Sequence, residues 1–177
     1  MDAIQEQIHQ ECLKPAGFRK RGRTHNRSVE DGIIQVVNFQ LGTKPNREDY
    51  DFLWVNLGVR RPDDEPEVGS VVQDYHCGIR FNLLEFIYTG DYRGYTSAYF
   101  TLPSSRQPGP LTRLVRHLGR KPAGPTFGGT DTANQIIELL NEYALPMFED
   151  LSSRDKITAN LHKYPTALNH WGGLDGA

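Results

Sequence analysis

Two stretches of alternating apolar and polar residues constrain the fold of this chain more than any other feature. They cover residues 33–41 (IIQVVNFQL) and 51–60 (DFLWVNLGVR) and are rich in the β-branched and aromatic residues that favour strands. In the first stretch, Val37 and Phe39 share one face and Asn38 lies on the other. This alternation predicts neighbouring antiparallel strands, with one face of the sheet covered by apolar packing and the other face wetter.

Helical periodicity dominates the two ends of the chain. Residues 2–14 repeat apolar side chains at i, i+4 and i+8, and Pro15 ends the pattern because the residue before a proline avoids helical angles. In the second half, apolar stripes typical of helices occupy residues 110–119, 131–151 and 153–164.

A cluster of strands followed by helices predicts an α+β fold. We expect a single domain over residues 1–165, in which an N-terminal helix and C-terminal helices pack on one face of an antiparallel sheet of about four or five strands. The side chains expected beneath the helices are Val37, Phe39, Val55 and Leu57. Residues 166–177 show no periodicity, and we expect a flexible tail there.

The overall charge argues against two function classes. The chain has 177 residues and a formal net charge of −2, whereas nucleic-acid coat proteins and polybasic membrane binders are strongly basic. The first residues (MDAIQEQIHQEC) lack the basic start and apolar run of a signal peptide, and no apolar stretch approaches the roughly 20 residues of a membrane helix. With Cys12 and Cys77 as its two cysteines, the chain is expected to be a cytoplasmic protein with reduced thiols.

A basic segment, residues 17–27 (GFRKRGRTHNR), follows the first predicted helix. If its second part forms a strand, the two-residue period places Arg23, His25 and Arg27 on one face. Arginine forks bind phosphate and carboxylate groups, so one interpretation is an anion site. The alternative is an edge strand whose solvated charges prevent edge-to-edge aggregation.

An acidic segment, residues 62–79, contains no lysine or arginine. Its carboxylates are candidates for binding a basic partner: Asp63, Asp64, Glu65, Glu67 and Asp74. They lack the spacing and the glycine of a calcium loop, so no metal site is predicted. The alternative is a solvated loop with no partner.

A tyrosine-rich segment, residues 88–100, supplies candidate anchors for a binding surface. Tyr88, Tyr92 and Tyr95 alternate with glycine and arginine, and each ring joins an apolar body to a polar tip. The alternative is a loop packed on the edge of the sheet.

Three amide side chains define a possible polar groove on the wetter face of the sheet. We expect Asn38, Gln40 and Asn56 to lie together there, close to Arg23, His25 and Arg27 if the first strand pairs in register. Such a groove would be wet, and Asn38→Ala would then leave stability nearly unchanged.

Motifs for known chemistries are missing from the sequence. It contains no glycine-rich phosphate loop, no His-Glu-x-x-His, no paired-cysteine pattern and no Gly-x-Ser-x-Gly. The sequence therefore favours a protein that is not an enzyme, and we expect no cofactor and no metal.

Five segments resemble an uncharacterised, mainly bacterial family, the domain of unknown function 4304. They read LKPAGFRKRG, THNR, VVNFQLG, FLWVNLGV and YALPMFEDLSS. The resemblance covers most of the chain and implies the strand and helix order given above, but it implies no catalytic residue. Small α+β proteins of this kind resemble the immunity proteins that neutralise bacterial toxins, which is an analogy of fold alone.

These observations favour a protein-binding module, immunity-like in form, whose acidic segment and tyrosines recognise a protein partner such as a basic toxin. One alternative is an RNA- or polyanion-binding protein, in which the basic segment 19–27 joins the basic helix 111–121. A further alternative is an enzyme or ligand-binding protein that uses the polar groove.

Overall fold

The computed structural model describes residues 1–42, 50–64, 69–86, 100–103, 127–128 and 131–165. Within these residues the protein has an α+β fold, in which helices from both ends of the chain pack on one face of a sheet. The predicted helix 110–119 and the tail 166–177 lie outside the described residues.

The described part of the sheet has seven strands, and β3 and β4 form its centre. The strands are β1 (Arg19–Arg21), β2 (Thr24–Ser28), β3 (Ile34–Gly42), β4 (Tyr50–Arg60), β5 (Ile79–Asn82), β6 (Phe100–Pro103) and β7 (Phe127–Gly128). Their order is β1-β2-β3-β4-β6-β7, and β5 also pairs with β4, alongside its second half. All pairs are antiparallel except that of β6 with the two-residue β7. The antiparallel sheet predicted from the sequence is thus confirmed.

One face of the sheet carries the main core. The register pairs Val37 with Leu57 and Phe39 with Val55, and all four side chains are buried as the alternation predicts. They belong to a cluster that also includes helix residues such as Ile136. Removing such apolar surface from water is the main favourable term in folding. The packing on this face therefore stabilises the fold.

The helices lie where the periodicity places them, with a π-helical turn in each long one. Helix α1 (Asp2–Ile8) continues as a π-turn (His9–Leu13) and ends before Pro15. Helices α2 (Thr132–Leu139) and α3 (Leu145–Asp150) are joined by a second π-turn (Leu140–Ala144), and α4 (Arg154–Asn160) follows. The Ser153 side chain caps α4 by accepting a hydrogen bond from the backbone N–H of Lys156 (3.2 Å).

The other face of the sheet is partly covered by residues 69–78, which we call the crossing loop. Its Val72 and Cys77 pack with Val36 of β3 in a second, smaller apolar cluster. Gly58 of β4 lies directly beneath Cys77, since a Cβ atom at position 58 would lie 2.6 Å from its Sγ. We call this side of the sheet the open face, because Gln40 is exposed on it.

Candidate functional site

A row of polar side chains crosses the open face from strand to strand. The register places Thr24 opposite Asn38, Asn38 opposite Asn56, and Asn56 opposite Asn82, so the four lie in one line across β2, β3, β4 and β5. Asn56 donates to the side-chain oxygen of Gln40 (3.1 Å), and Asn82 donates to that of Asn56 (3.4 Å). We call Thr24, Asn38, Asn56 and Asn82 the polar row. Asn38, Gln40 and Asn56 thus lie together on this face, as the alternation predicts.

The crossing loop borders the polar row through hydrogen bonds to β2 and β3. The Thr24 hydroxyl donates to the side-chain oxygen of Gln73 (2.7 Å), and Asn38 Nδ2 donates to Asp74 Oδ1 (2.6 Å). Asn26 bonds both the carbonyl and the N–H of Val72, at 2.8 and 3.1 Å. Residues of the crossing loop therefore cover the part of the expected wet groove that lies over β2 and β3.

Arg60 and Asp64 hold the two ends of the acidic segment together. The buried guanidinium of Arg60 donates to the carbonyl of His76 (2.6 Å) and to that of Asp64. The carboxylate of Asp64 accepts from the backbone N–H of Arg61 (2.8 Å) and of Gly78 (2.9 Å), and its side chain is 5% exposed. Asp64 consequently has a structural role in this segment, and its expected contact with a partner stays a prediction.

The remaining carboxylates of the acidic segment have different surroundings. Asp63 is exposed and forms a two-pronged ion pair with Arg154 of α4. Asp74 is half-buried and accepts a hydrogen bond from Asn38. Glu65 and Glu67 lie outside the described residues.

Tyr75 is the residue of this segment that the sequence interpretation missed. It follows Asp74 in a single 3₁₀ turn (Asp74–His76), and 63% of its surface is exposed, the largest exposed hydrophobic side chain among the described residues. The rings of Tyr75 and His76 meet at an angle of 70°, with their centroids 4.3 Å apart. The three predicted aromatic anchors, Tyr88, Tyr92 and Tyr95, lie outside the described residues.

His25 and Arg27 lie on the helix-covered face, so their predicted position beside the polar groove is wrong. The register places His25 opposite the core residue Val37, and Arg27 opposite Gln35. Arg27 donates to the Gln35 side chain (2.7 Å) and pairs with Glu149 of α3 (2.8 Å). Arg23 lies in the turn between β1 and β2 and is exposed.

His25 is completely buried and lies against His9. The ring centroids of the two histidines are 5.1 Å apart, and neither ring nitrogen of His25 has a hydrogen-bond partner among the described residues. Burial lowers the pKa of His25 to about 4 and, to a smaller extent, lowers the pKa of His9. Both imidazoles are therefore neutral at pH 7.

The described residues form neither a metal-binding cluster nor a membrane-spanning helix. No three or more side chains of His, Cys, Asp or Glu come together there in a way that would hold a metal ion. Among the same residues, no helix has the length and apolar character needed to cross a bilayer.

Comparison with known proteins gives a family and no further relative. No curated protein and no solved structure matches the chain. The model of one family matches residues 9–98, which include β1 to β5, the polar row and the crossing loop. The chain therefore belongs to the family described as Domain of unknown function (DUF4304).

Proposed function

We propose that this protein is a non-enzymatic, protein-binding module that recognises its partner through the crossing loop. The observation that carries the proposal is Tyr75, an aromatic side chain of this loop that is 63% exposed. Tyrosine is enriched among the residues that dominate the energy of protein interfaces, because its ring buries a large area and its hydroxyl finds a partner.

The crossing loop is held in place before any partner arrives. Arg60 and Asp64 bond the backbone of His76 and Gly78 near its second end, Asn26 bonds Val72, and Cys77 packs against Gly58. Ordering a flexible loop on binding costs free energy, and a loop that is already ordered avoids that cost. Tyr75 can thus bind a partner with little loss of conformational entropy in the loop.

The charge near Tyr75 favours a basic partner. Asp74 precedes it in the chain and accepts a hydrogen bond from the neutral amide of Asn38, and its carboxylate also interacts electrostatically with Arg80. Carboxylates beside an aromatic anchor raise the association rate with a positively charged surface. The concrete form that we propose is an immunity-like protein of the bacterial cytoplasm that neutralises a basic toxin, for example a nuclease.

The test is binding to the product of the neighbouring gene, measured by isothermal titration with purified proteins. Tyr75→Ala should weaken binding at least 30-fold, which corresponds to a hot spot of about 2 kcal/mol. Tyr75→Phe keeps the ring and should retain most of the affinity. Glu138→Gln, a charge change at an exposed position of α2, is the control and should have no effect.

Two results would contradict the proposal. The first is unchanged affinity of Tyr75→Ala for a partner that the wild-type protein binds, which would place the interface elsewhere. The second is no binding to the neighbouring product together with no protection of cells that express it, which would remove the immunity-like role.

A further inference from the structure

The N-terminal part of the chain meets β2 at a contact between two histidine rings. His9 lies in the π-turn that follows α1, and His25 lies on the helix-covered face of β2. Nδ1 of His9 and both ring nitrogens of His25 are buried without a hydrogen-bond partner among the described residues. Buried polar atoms usually have such a partner, so an imidazole pair of this kind is a candidate for a role beyond packing.

The sheet side of the contact is apolar. The His25 ring meets the Phe39 ring at an angle of 75°, with centroids 5.4 Å apart, and Val37 lies opposite His25 in β3. The nearby backbone of Val37 favours the protonated ring, but the loss of hydration on burial outweighs it. A proton on His25 is therefore unfavourable while the helix covers the ring.

The charged groups around the pair act in both directions. Lys20 of β1 disfavours a further positive charge on either histidine, and Lys14 does so at His9. Glu6 of α1 favours protonation of both rings, but its carboxylate is already paired with Lys20 (2.6 Å). The neighbouring charges thus do not stabilise two imidazolium groups at this contact.

Residues 1–13 are joined to the rest of the protein by few polar contacts. Gln5 of α1 donates to the carbonyl of Gly22 (2.8 Å), and Gln7 donates to the side chain of Asn134 in α2 (3.0 Å). A terminal segment with few such links opens at a lower free energy than the central strands of a sheet.

The chain is fixed again directly after this segment. Arg27 of β2 donates to the carbonyl of Ala16 (2.9 Å), and Pro15 precedes Ala16. The segment that can leave the sheet without disturbing β2 therefore ends before Pro15.

We propose that protonation of His9 and His25 releases residues 1–13 from the sheet while the strands remain paired. At neutral pH the burial of Ile8 and Leu13 keeps the segment docked. In acid, two positive rings with centroids 5.1 Å apart repel each other beside Lys20, and the departure of the helix lets water reach both. The release exposes apolar surface of the helix and of the sheet, and it does not depend on Tyr75 or on a protein partner.

The experiment is native-state hydrogen exchange at pH 7 and pH 5, with rates corrected for the intrinsic effect of pH on exchange. The pKa of His25 is about 4 in the docked state and about 6.5 when the ring is hydrated, so the ratio of open to closed protein should rise about 20-fold between these pH values. The backbone amides of residues 6–13 report this ratio. At both pH values their opening should be more frequent, and less sensitive to low urea, than the opening that exposes the centre of β3.

Two variants assign the effect to the buried ring. His25→Leu keeps a side chain of similar size at this position, cannot be protonated, and should remove most of the increase at residues 6–13. His162→Gln removes an exposed histidine and should show the full increase. If His25→Leu does not fold, the carbon-13 chemical shifts of the wild-type imidazoles provide the second measurement, and His25 should still be neutral in the closed protein at pH 5.

Three results would overturn the proposal. The first is an equal opening ratio and an equal urea dependence for residues 6–13 and the centre of β3, which would show that the helix leaves only when the whole protein unfolds. The second is a full increase in His25→Leu. The third is a protonated His25 ring in the closed protein at pH 5.

Discussion

His25 and His9 contact each other inside the protein, with their ring centroids 5.1 Å apart. His25 comes from β2 and His9 from the π-turn after α1, so this contact joins the first helix to the sheet. Lys20 lies close enough to disfavour a further positive charge there, and the nearby Glu6 only partly offsets it. The pair is stable in the neutral form.

We expect the protein to lose stability in mild acid because of His25. Its pKa is about 4 in the folded state and about 6.5 in the unfolded chain, so between these values the unfolded state binds more protons. The free energy of unfolding should therefore fall by about 3 kcal/mol as the pH falls from about 7 to about 3, with most of the fall between pH 6.5 and 4. Urea unfolding at a series of pH values measures this.

The control for this pH effect is another histidine. His25→Leu removes the buried imidazole and should flatten the pH dependence in that range, whereas the exposed His162→Gln should leave it unchanged. An equally steep dependence in His25→Leu would contradict the assignment to His25.

Phe39 and Asn38 are neighbours in β3 that point to opposite faces. We expect replacement of either residue to lower the free energy of unfolding, by different amounts. Phe39→Ala should cost about 3–5 kcal/mol, the usual range for a buried phenylalanine. Asn38→Ala removes the donor to Asp74 and should cost about 1–2 kcal/mol, since a carboxylate then loses its partner. This replaces the expectation from sequence that Asn38→Ala is nearly neutral. If chemical denaturation shows the same free energy of unfolding for Asn38→Ala and the wild type, water has replaced the amide as the donor to Asp74.

Gly58 should not tolerate a side chain. A Cβ at this position would lie 2.6 Å from Cys77 Sγ, and we expect Gly58→Ala to destabilise the protein by about 1–3 kcal/mol through overpacking. Gly69→Ala, where a Cβ meets nothing within 4 Å, is the control. Combining Gly58→Ala with Cys77→Ala should recover part of the loss, and strictly additive effects would argue against the contact.

Arg60 should control the order of the crossing loop. Arg60→Lys keeps the charge, but a single ammonium cannot span the carbonyls of His76 and Asp64 as the guanidinium does. Hydrogen exchange should become faster at residues 70–78 and stay unchanged in the centre of β3. Equal exchange in both proteins would show that Cys77 and Val72 hold the loop without Arg60.

The buried face of the central sheet was predictable because its signal is local. Alternation within each of the two stretches assigns Val37 and Val55 to one side, and the core side must be the apolar one. The polar row follows from the same alternation, since a residue next to a core position belongs to the opposite face. The antiparallel register then brings Asn38 beside Asn56.

The side on which the basic strand presents its charges was not predictable in this way. Arg23, His25 and Arg27 have the right period, but a period does not state which face is which. That choice depends on how β2 pairs with β3, where His25 meets Val37 instead of Asn38. Because a register shift of one residue reverses every side chain, the interpretation failed for His25 and Arg27 together.

The acidic segment shows a second limit of sequence reasoning. Composition identifies carboxylates but not their partners, and Asp64 proves to be bound by two backbone N–H groups. Tyr75 was overlooked for the same reason, because its exposure depends on the contacts of its neighbours Val72 and Cys77 with the sheet. These contacts join residues that are distant in the chain.

The anchoring of the crossing loop has a consequence for how the protein can change. The contacts that set its backbone, those of Arg60, Asp64, Asn26 and Cys77, do not involve the side chain at position 75. Substitutions at position 75 therefore change the side chain on the surface of the crossing loop without changing the backbone of the loop. An engineer can therefore use position 75 to display a chosen side chain on a loop whose backbone is already fixed.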